Sequence, residues 1–173
     1  FGVGDGTLGD EVATALPGVA FRMTAEDVDR DGDLDVLVTR SAADELLLFS
    51  NDGDGGLTLS QTLPVTDNPL TVAAADVNAD GWPDVAVLNT STRDVVIFLN
   101  QQGTLTEGPR TSVPSGTFLT SYDVDGDGYA DLLAGGALIF GSARGIGFVD
   151  RTAPAGRLFD LDGDGHVDVV RGG

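Results

Sequence analysis

The nine-residue stretch Asp123-Val-Asp-Gly-Asp-Gly-Tyr-Ala-Asp131 decides how the rest of this 173-residue sequence is interpreted. Further copies begin at Asp27, Asp76 and Asp160. Every copy has aspartate or asparagine at positions one, three and five, glycine at position six and aspartate at position nine. Alternate oxygen-bearing side chains on a tightly curled loop can converge on one hard cation, and glycine permits the sharp turn. The pattern therefore predicts four calcium-binding loops, with about four ions.

The predicted ligands are the side chains at positions one, three, five and nine and the backbone carbonyl at position seven. A carbonyl ligand leaves the position-seven side chain free to vary, and the closing aspartate is expected to bind calcium through both carboxylate oxygens. Asn78 replaces a carboxylate, so we expect the second loop to release calcium first. The predicted ligand positions are Asp27, Asp29, Asp31, Asp33, Asp35, Asp76, Asn78, Asp80, Trp82, Asp84, Asp123, Asp125, Asp127, Tyr129, Asp131, Asp160, Asp162, Asp164, His166 and Asp168.

Two other interpretations of the motif predict different surroundings. An EF-hand needs flanking helices and a bidentate glutamate at position twelve, which is here Val38, Val87, Ala134 or Arg171. The short apolar segments that follow the motif favour strands over helices. An Asp-Gly-rich stretch could also be a plain hairpin turn, but four copies in register favour the metal loop.

Composition narrows the class of protein. The formal net charge is −19, and four calcium ions would leave the surface acidic, which argues against nucleic acid or anionic membranes as partners. No apolar run is long enough for a transmembrane helix, so membrane insertion is not expected. The absence of cysteine excludes a disulfide framework and thiol chemistry. Because such loops are often empty at cytosolic calcium levels, we expect an extracellular, secreted or cell-surface location.

The motif recurs at intervals of 49, 47 and 37 residues, which is a propeller-like period. Each repeat is interpreted as four strands, A to D, with the calcium loop between A and B. Strands are predicted at 20–28, 35–40, 45–50 and 56–63 in the first repeat, and at 70–77, 84–89, 94–100 and 104–112 in the second. In the third repeat, Gly135-Gly136 predicts a two-residue hairpin between strands B and C. The fold class predicted is an all-β propeller, or a segment of one, with four-stranded antiparallel blades.

The predicted organisation is a single domain, 1–173. It divides into a partial blade at 1–19, blades at 20–66, 67–113 and 114–155, and a partial blade at 156–173. The first residues align with a C–D turn whose preceding strands are absent, and the last residues stop where a strand C would begin. We expect a piece of a longer chain, with a closed four-bladed ring as the alternative.

The sequence resembles the FG-GAP and VCBS repeats of integrin α-subunit propellers and of many secreted bacterial proteins. Phe1-Gly2, the Gly-Asp-Gly-Thr-Leu turn at 4–8 and the four aspartate loops carry the resemblance, which covers nearly the whole chain. It implies a β-propeller whose calcium loops join strands A and B of each blade. The family commonly has seven blades, whereas this chain has three complete ones and parts of others. Integrin-like ligand binding is not implied, because it needs appended loops and a partner subunit.

The function expected is that of a binding or structural module for protein–protein interaction, adhesion or surface assembly. The alternatives are a carbohydrate-binding propeller lectin and a non-catalytic module of a larger secreted enzyme. Lectin propellers usually repeat an aromatic and polar ligand set in each blade, and no such set recurs here. We do not expect an enzyme, because the carboxylates converge on cation sites and the one histidine, His166, lies inside a loop.

Two short motifs have both a functional and a structural interpretation. Trp82-Pro83 could be a sugar-stacking platform, although packing beside the calcium loop is the favoured interpretation. Asn89-Thr-Ser91 matches a glycosylation sequon, which is expected on an exposed loop.

Partner binding is expected at the end of the blades opposite the calcium loops. Consecutive antiparallel strands put the A–B and C–D turns at one end and the B–C and D–A connections at the other. The second end contains residues 40–44, 64–69, 89–94 and 114–116, which differ between repeats in length and chemistry. Such variation on a repeated scaffold permits specific recognition, so we expect a protein partner or a glycan there. The rest of a longer parent chain, or an assembly, is a further expected partner.

Overall fold

The computed structural model describes residues 13–66, 68–153, 157–159, 161–162 and 168–170. Within these ranges the regular structure is entirely β, and no helix is present that could cross a membrane. The strands are β1 Arg22–Glu26, β2 Asp35–Arg40, β3 Glu45–Asn51, β4 Leu57–Pro64, β5 Pro69–Ala75, β6 Asp84–Asn89, β7 Asp94–Gln101, β8 Thr104–Ser112, β9 Leu119–Tyr122, β10 Asp131–Ala134, β11 Ala137–Ile139, β12 Val149–Asp150, β13 Arg157–Phe159 and β14 Asp168–Val170.

These strands form three four-stranded sheets in which each strand pairs antiparallel with the next along the chain. The first sheet is β1 to β4, the second β5 to β8 and the third β9 to β12, while β13 and β14 form a two-stranded sheet. The predicted four-stranded antiparallel sheets are therefore confirmed. Because consecutive strands alternate in direction, the A–B and C–D connections of each sheet lie at one end and the B–C connections at the other.

Two hairpins use two-residue turns in which both central residues are left-handed. Gln102 and Gly103 have φ of 56° and 87°, and Gly135 and Gly136 have φ of 55° and 79°. Type I′ turns require this geometry, because its twist matches that of the flanking strands. The hairpin predicted at Gly135-Gly136 is thus confirmed. The third sheet also differs beyond it, because a longer segment, 140–148, connects β11 to β12.

The sheets pack face to face through two hydrophobic clusters that share the second sheet. Val85 and Val87 of β6 face the first sheet, and Ala86 and Leu88 face the third. A strand with apolar residues at every position is expected only where both faces are covered. The first cluster also contains Leu37, Leu46, Leu48, Val96 and Phe98, and the second contains Val95, Ile97, Leu132, Ala134 and Ile139.

Burial falls from the middle of each sheet to its edges. Every residue of β6 is buried, whereas the edge strands β4 and β8 are mostly exposed or half-buried. The outer face of the first sheet buries Val38, Leu47 and Phe49 beneath partly buried residues that include Leu16 and Ala20. Full burial of such a side chain contributes about 1.5–3 kcal/mol, so strands B and C hold the stacked sheets together.

Candidate metal centres

The predicted calcium loops lie at one end of their sheets. Residues 27–35 join β1 to β2, residues 76–84 join β5 to β6, and residues 123–131 join β9 to β10. The fourth loop, 160–168, lies between β13 and β14. Its positions Asp160, Asp164 and His166 are outside the described residues, as are Phe1-Gly2 and the turn at 4–8.

Two left-handed residues curl each of the three loops that are described throughout. Position six is the glycine predicted to make the sharp turn, with φ of 100°, 89° and 89° at Gly32, Gly81 and Gly128. Position four is also left-handed, with φ of 61°, 54° and 77° at Arg30, Ala79 and Gly126. The sequence did not predict the second turn, because arginine and alanine rarely adopt this conformation.

Backbone N–H groups inside the loops donate to the predicted ligand side chains. The carboxylate at position one accepts from the position-six N–H at 3.1, 2.8 and 3.0 Å in the three loops. The side chain at position three accepts from the position-five N–H at 3.3, 2.9 and 3.2 Å. The carboxylate at position five accepts from the position-seven N–H at 2.9, 2.9 and 3.0 Å. These side-chain-to-backbone turns orient alternate oxygens within each loop.

The closing aspartates have a role that the sequence did not predict. Asp35, Asp84 and Asp131 are 0%, 1% and 1% exposed. One carboxylate oxygen accepts the position-two N–H of its own loop, at 3.0, 3.2 and 2.9 Å. The other accepts an N–H near the end of strand C, from Asn51, Asn100 and Gly141 at 2.9, 2.8 and 2.9 Å. Asp168 accepts the position-two N–H of Leu161 at 3.0 Å in the fourth loop. Each closing carboxylate of the three sheets thus fastens its loop to strand C.

The first and third loops each bring three carboxylates together. Ligand oxygens of Asp27, Asp29 and Asp35 lie within 4.8 Å of one another, as do those of Asp123, Asp125 and Asp131. Among the residues that the structure describes, none is a hydrogen-bond partner of the buried oxygen Asp27 Oδ1. Burial, reinforced by neighbouring carboxylates, raises the pKa of Asp29 and of Asp131. A divalent cation fits this arrangement, because it would offset the repulsion and supply the missing partner of Asp27.

The second loop is arranged differently. Asn78 Nδ2 donates to Asp80 Oδ2 at 2.9 Å, so the carboxylate at position five has an amide donor at position three. In the first and third loops position three is another aspartate. Among the described residues, only the first and third loops group three acidic ligands within 4.8 Å. Burial, together with the charges of Asp80 and Asp76, raises the pKa of Asp84 to about 6. At positions one, three, five and nine the second loop has three carboxylates, whereas the first and third loops each have four.

The side chain at position seven of the second loop contacts the first loop. Trp82 is half-buried, and the guanidinium of Arg30 lies over its ring at 5.5 Å from the centroid. Arg30 Nη1 also donates to the carbonyl of Gly81 at 2.8 Å. A side chain of the first loop therefore contacts both backbone and ring in the second.

Each of the first two loops is anchored by the following sheet. Asn100 Nδ2 donates to the carbonyl of Val28 at 2.8 Å, and the N–H of Ser142 donates to the carbonyl of Val77 at 2.9 Å. Asn100 Nδ2 also donates to the carbonyl of Pro83, within its own repeat, at 2.9 Å. In the first repeat, Asn51 Nδ2 makes the equivalent bond to the carbonyl of Leu34 at 3.1 Å. Asparagine occurs 16 residues after the closing aspartate in both repeats, which is the signal that could have revealed this contact.

The opposite end of the sheets is held by a hydrogen-bonded network. Asp94 is 8% exposed and accepts from Asn89 Nδ2 at 2.9 Å, Thr92 Oγ1 at 2.8 Å and Arg110 Nη1 at 3.0 Å. Asn89 is fully buried. The prediction that the sequon at Asn89 is exposed is therefore wrong, because its amide is committed to the hairpin.

One family model matches this chain. The family model described as FG-GAP-like repeat matches residues 27–87 and 76–134. No curated protein matches the chain.

Two solved structures share the fold at low sequence identity. A lectin from Agrocybe aegerita, described as recognising non-reducing terminal N-acetylglucosamine, is 21% identical with a TM-score of 0.54, over 86% of this chain and 45% of that one. The crystal structure of BBS1N in complex with ARL6DN is 13% identical with a TM-score of 0.50, over 76% of this chain and 43% of that one. The chain thus spans less than half the length of either structure.

Proposed function

This chain belongs to the FG-GAP-like repeat family, and from that membership we propose that it is a non-catalytic, calcium-stabilised extracellular binding module. In this proposal the stacked sheets are blades of a β-propeller and the aspartate loops are its cation sites. The observation that carries it is the cluster of Asp27, Asp29 and Asp35, in which a buried carboxylate oxygen has no partner. Calcium, which is abundant outside cells, suits a site made only of oxygen ligands.

The side chains at positions one, three, five and nine and the carbonyl at position seven would hold the ion. When bound, calcium neutralises carboxylates that otherwise repel one another. The chain itself contributes the left-handed turns and the N–H donors that orient these oxygens before binding. We propose that the second loop has the lowest affinity, because Asn78 supplies an amide whose hydrogens already contact Asp80.

Removal of calcium tests the proposal directly. An ion present at about a hundred times its dissociation constant stabilises the folded state by roughly 2.7 kcal/mol per site. A stability change of 1 kcal/mol shifts the melting temperature by roughly 2–4 °C in a chain of this size. We therefore expect excess EDTA to lower the melting temperature by at least about 10 °C and readded calcium to restore it. Identical melting curves with EDTA and with calcium would contradict the proposal.

We propose that a protein partner binds at the end opposite the calcium loops. The B–C turns there present exposed tips of different chemistry, Ala42-Ala43 in the first sheet and Ser91-Thr92-Arg93 in the second. Asp94 is not available to a partner, because it is buried and holds the hairpin together. Variation at exposed tips on a common frame supports recognition there.

A pair of photo-crosslinking variants tests this surface. One carries the crosslinker at Ser91, and the matched variant carries it at Asp54, which is exposed in the turn beside the first calcium loop. With the secreted and surface proteins of the source organism, we expect one discrete crosslinked product from Ser91 and none from Asp54. A product from Asp54 alone would place the partner at the calcium end.

Carbohydrate binding is a second candidate function, supported by one feature of this chain. Trp82 is half-buried and lines a polar cleft with amide and carboxylate side chains. The Agrocybe aegerita lectin shows that a similar fold can bind a sugar, although a likeness at 21% identity concerns the fold alone.

A further inference from the structure

A cleft of about 530 Å³ lies between the second aspartate loop and the turn that joins β7 to β8. Its volume is within the roughly 300–1,000 Å³ typical of small-molecule sites. The lining residues are Asp80, Trp82, Asn100, Gln101 and Gln102. One aromatic side chain thus faces a wall made of amides and a carboxylate.

Trp82 is held in a defined position beside this cleft. The backbone N–H of Trp82 donates to Asp80 Oδ1 at 2.9 Å, which fixes the backbone at this position. Arg30 lies over the ring at 5.5 Å and is tied to the carbonyl of Gly81. A cation–π contact of this kind is worth roughly 0.5–1 kcal/mol at an exposed site. These contacts favour one placement of the half-buried indole before any ligand binds.

The turn that carries the amide side chains is also held in place. Asn100 is 1% exposed, and its Oδ1 accepts the N–H of Gly103 at 2.8 Å. Gln61 Nε2 donates to the carbonyl of Gly103 at 2.8 Å, which ties the turn to the neighbouring sheet. The exposed side chains of Gln101 and Gln102 extend from this fixed turn. They offer both donors and acceptors to a ligand.

We propose that this cleft binds a neutral saccharide. A sugar ring would lie against Trp82, while its hydroxyl groups exchange hydrogen bonds with Asp80 and the two glutamines. A hydroxyl both donates and accepts, so it can satisfy the carboxylate and the amides together. The proposal deepens the second candidate function by naming its site, on the calcium-loop end of the sheets.

The charges around the cleft select against other small ligands. No basic residue lines it, and the chain carries a net charge of −19. The overall negative field would repel phosphate, sulfate and acidic sugars. A purely apolar ligand would cover the side-chain amides of Gln101 and Gln102 without offering them a hydrogen-bond partner, at a cost of about 1–3 kcal/mol for each group.

The corresponding positions of the other two sheets lack this combination. The first loop has Asp33 where the second has Trp82. In the third loop, Tyr129 lies against Gly141, where an added Cβ would be only 2.7 Å from the Cβ of Tyr129. Within the described residues we therefore assign one saccharide site.

Tryptophan fluorescence tests the proposal, because Trp82 is the only tryptophan of the sequence. The full chain, loaded with calcium, is titrated separately with N-acetylglucosamine, galactose and mannose. We expect a saturable change in emission with at least one of them. The double variant Gln101→Ala/Gln102→Gly should bind that sugar at least tenfold more weakly, whereas Asp54→Ala, in the corresponding turn of the first sheet, should bind it like the parent. Glycine at 102 accepts the left-handed φ of 56°, so the double variant is expected to fold.

Either of two results would overturn the saccharide site. One is a folded, calcium-loaded protein whose emission and calorimetric heats do not change with any of the three sugars. The other is a double variant that binds the sugar as tightly as the parent. Melting with and without EDTA on the same samples reports the calcium proposal separately, so failure of one is distinguishable from failure of the other.

Discussion

At the scale of single residues, the loop aspartates divide into two kinds. Those at positions one, three and five are half-buried or exposed and accept hydrogen bonds only within their own loop. Those at position nine are buried and connect the loop to strand C. Asp131, for example, holds the N–H groups of Val124 and Gly141 with its two oxygens. A buried N–H that loses its acceptor is costly, with or without a cation nearby.

A matched pair of variants in the third loop separates these two roles. Asp131→Asn puts an amide NH₂ where one of the two N–H groups needs an acceptor, so we expect a loss of about 2–3 kcal/mol in unfolding free energy even in EDTA. Asp125→Asn should cost little in EDTA and should reduce only the stabilisation by calcium. Urea denaturation with EDTA and with calcium measures both. If the two variants lose stability equally in EDTA, position nine has no separate structural role.

At the scale of secondary-structure elements, the turn between strands C and D links neighbouring sheets. In the second sheet this turn follows Asn100, which donates to Val28 in the loop of the first sheet. Gln61 of β4 donates to Gly103 and accepts the N–H of Leu105 at 3.1 Å. The second sheet therefore fixes both the A–B loop and the edge strand of the first. Sheet stacking and loop geometry are coupled through a few side-chain amides.

The coupling predicts that Asn100 matters more than its counterpart Asn51. Asn100→Ala removes hydrogen bonds to Val28, Pro83 and Gly103. We expect it to lower the unfolding free energy by about 3 kcal/mol, since each such bond contributes roughly 0.5–1.5 kcal/mol and Val28 is buried. Asn51→Ala removes only contacts inside its own sheet and should cost about 1 kcal/mol. Asn100→Ala should also weaken calcium binding at the first loop in calorimetric titration. Equal effects of the two variants on stability would mean that the contact between sheets contributes nothing.

At the scale of the whole molecule, stacking of apolar sheets is opposed by charge. The net charge of −19 is concentrated in part at one end, where the described aspartate loops lie side by side. The two hydrophobic clusters hold the three sheets together against this repulsion. Without cations, self-repulsion destabilises the compact state, and salt screens it.

Salt should therefore stabilise the calcium-free protein more than the calcium-bound one. Raising KCl from about 0.01 M to about 0.15 M shortens the screening length from roughly 30 Å to roughly 8 Å. We expect the melting temperature in EDTA to rise with KCl, and that in saturating calcium to change less, because bound cations already neutralise the loops. Melting curves at both salt concentrations, with EDTA and with calcium, provide the measurement. An equal rise under both conditions would show that repulsion among the loops does not limit stability.

The sequence by itself determined the repeat, the strand order and the position of the loops. Four aspartate motifs in register, with alternating or wholly apolar segments between them, leave little freedom, because hydrophobic period and turn residues act locally. Gly135-Gly136 predicted its hairpin for the same reason. The glycine at position six predicted one left-handed turn in each loop.

Only the tertiary structure decided the features that depend on residues distant in the chain. Asn89 is the first residue of a glycosylation sequon in the sequence, but it is buried because Asp94 and the packed hairpin enclose it. The left-handed backbone at Arg30 is unfavourable locally, and its side chain reaches Gly81 and Trp82 in the next loop. The cleft beside Trp82 exists only because the turn after β7 lies next to the second loop. Arg30 and Gly81 are 51 positions apart in the chain. Local propensity carries no information about which distant residues will meet.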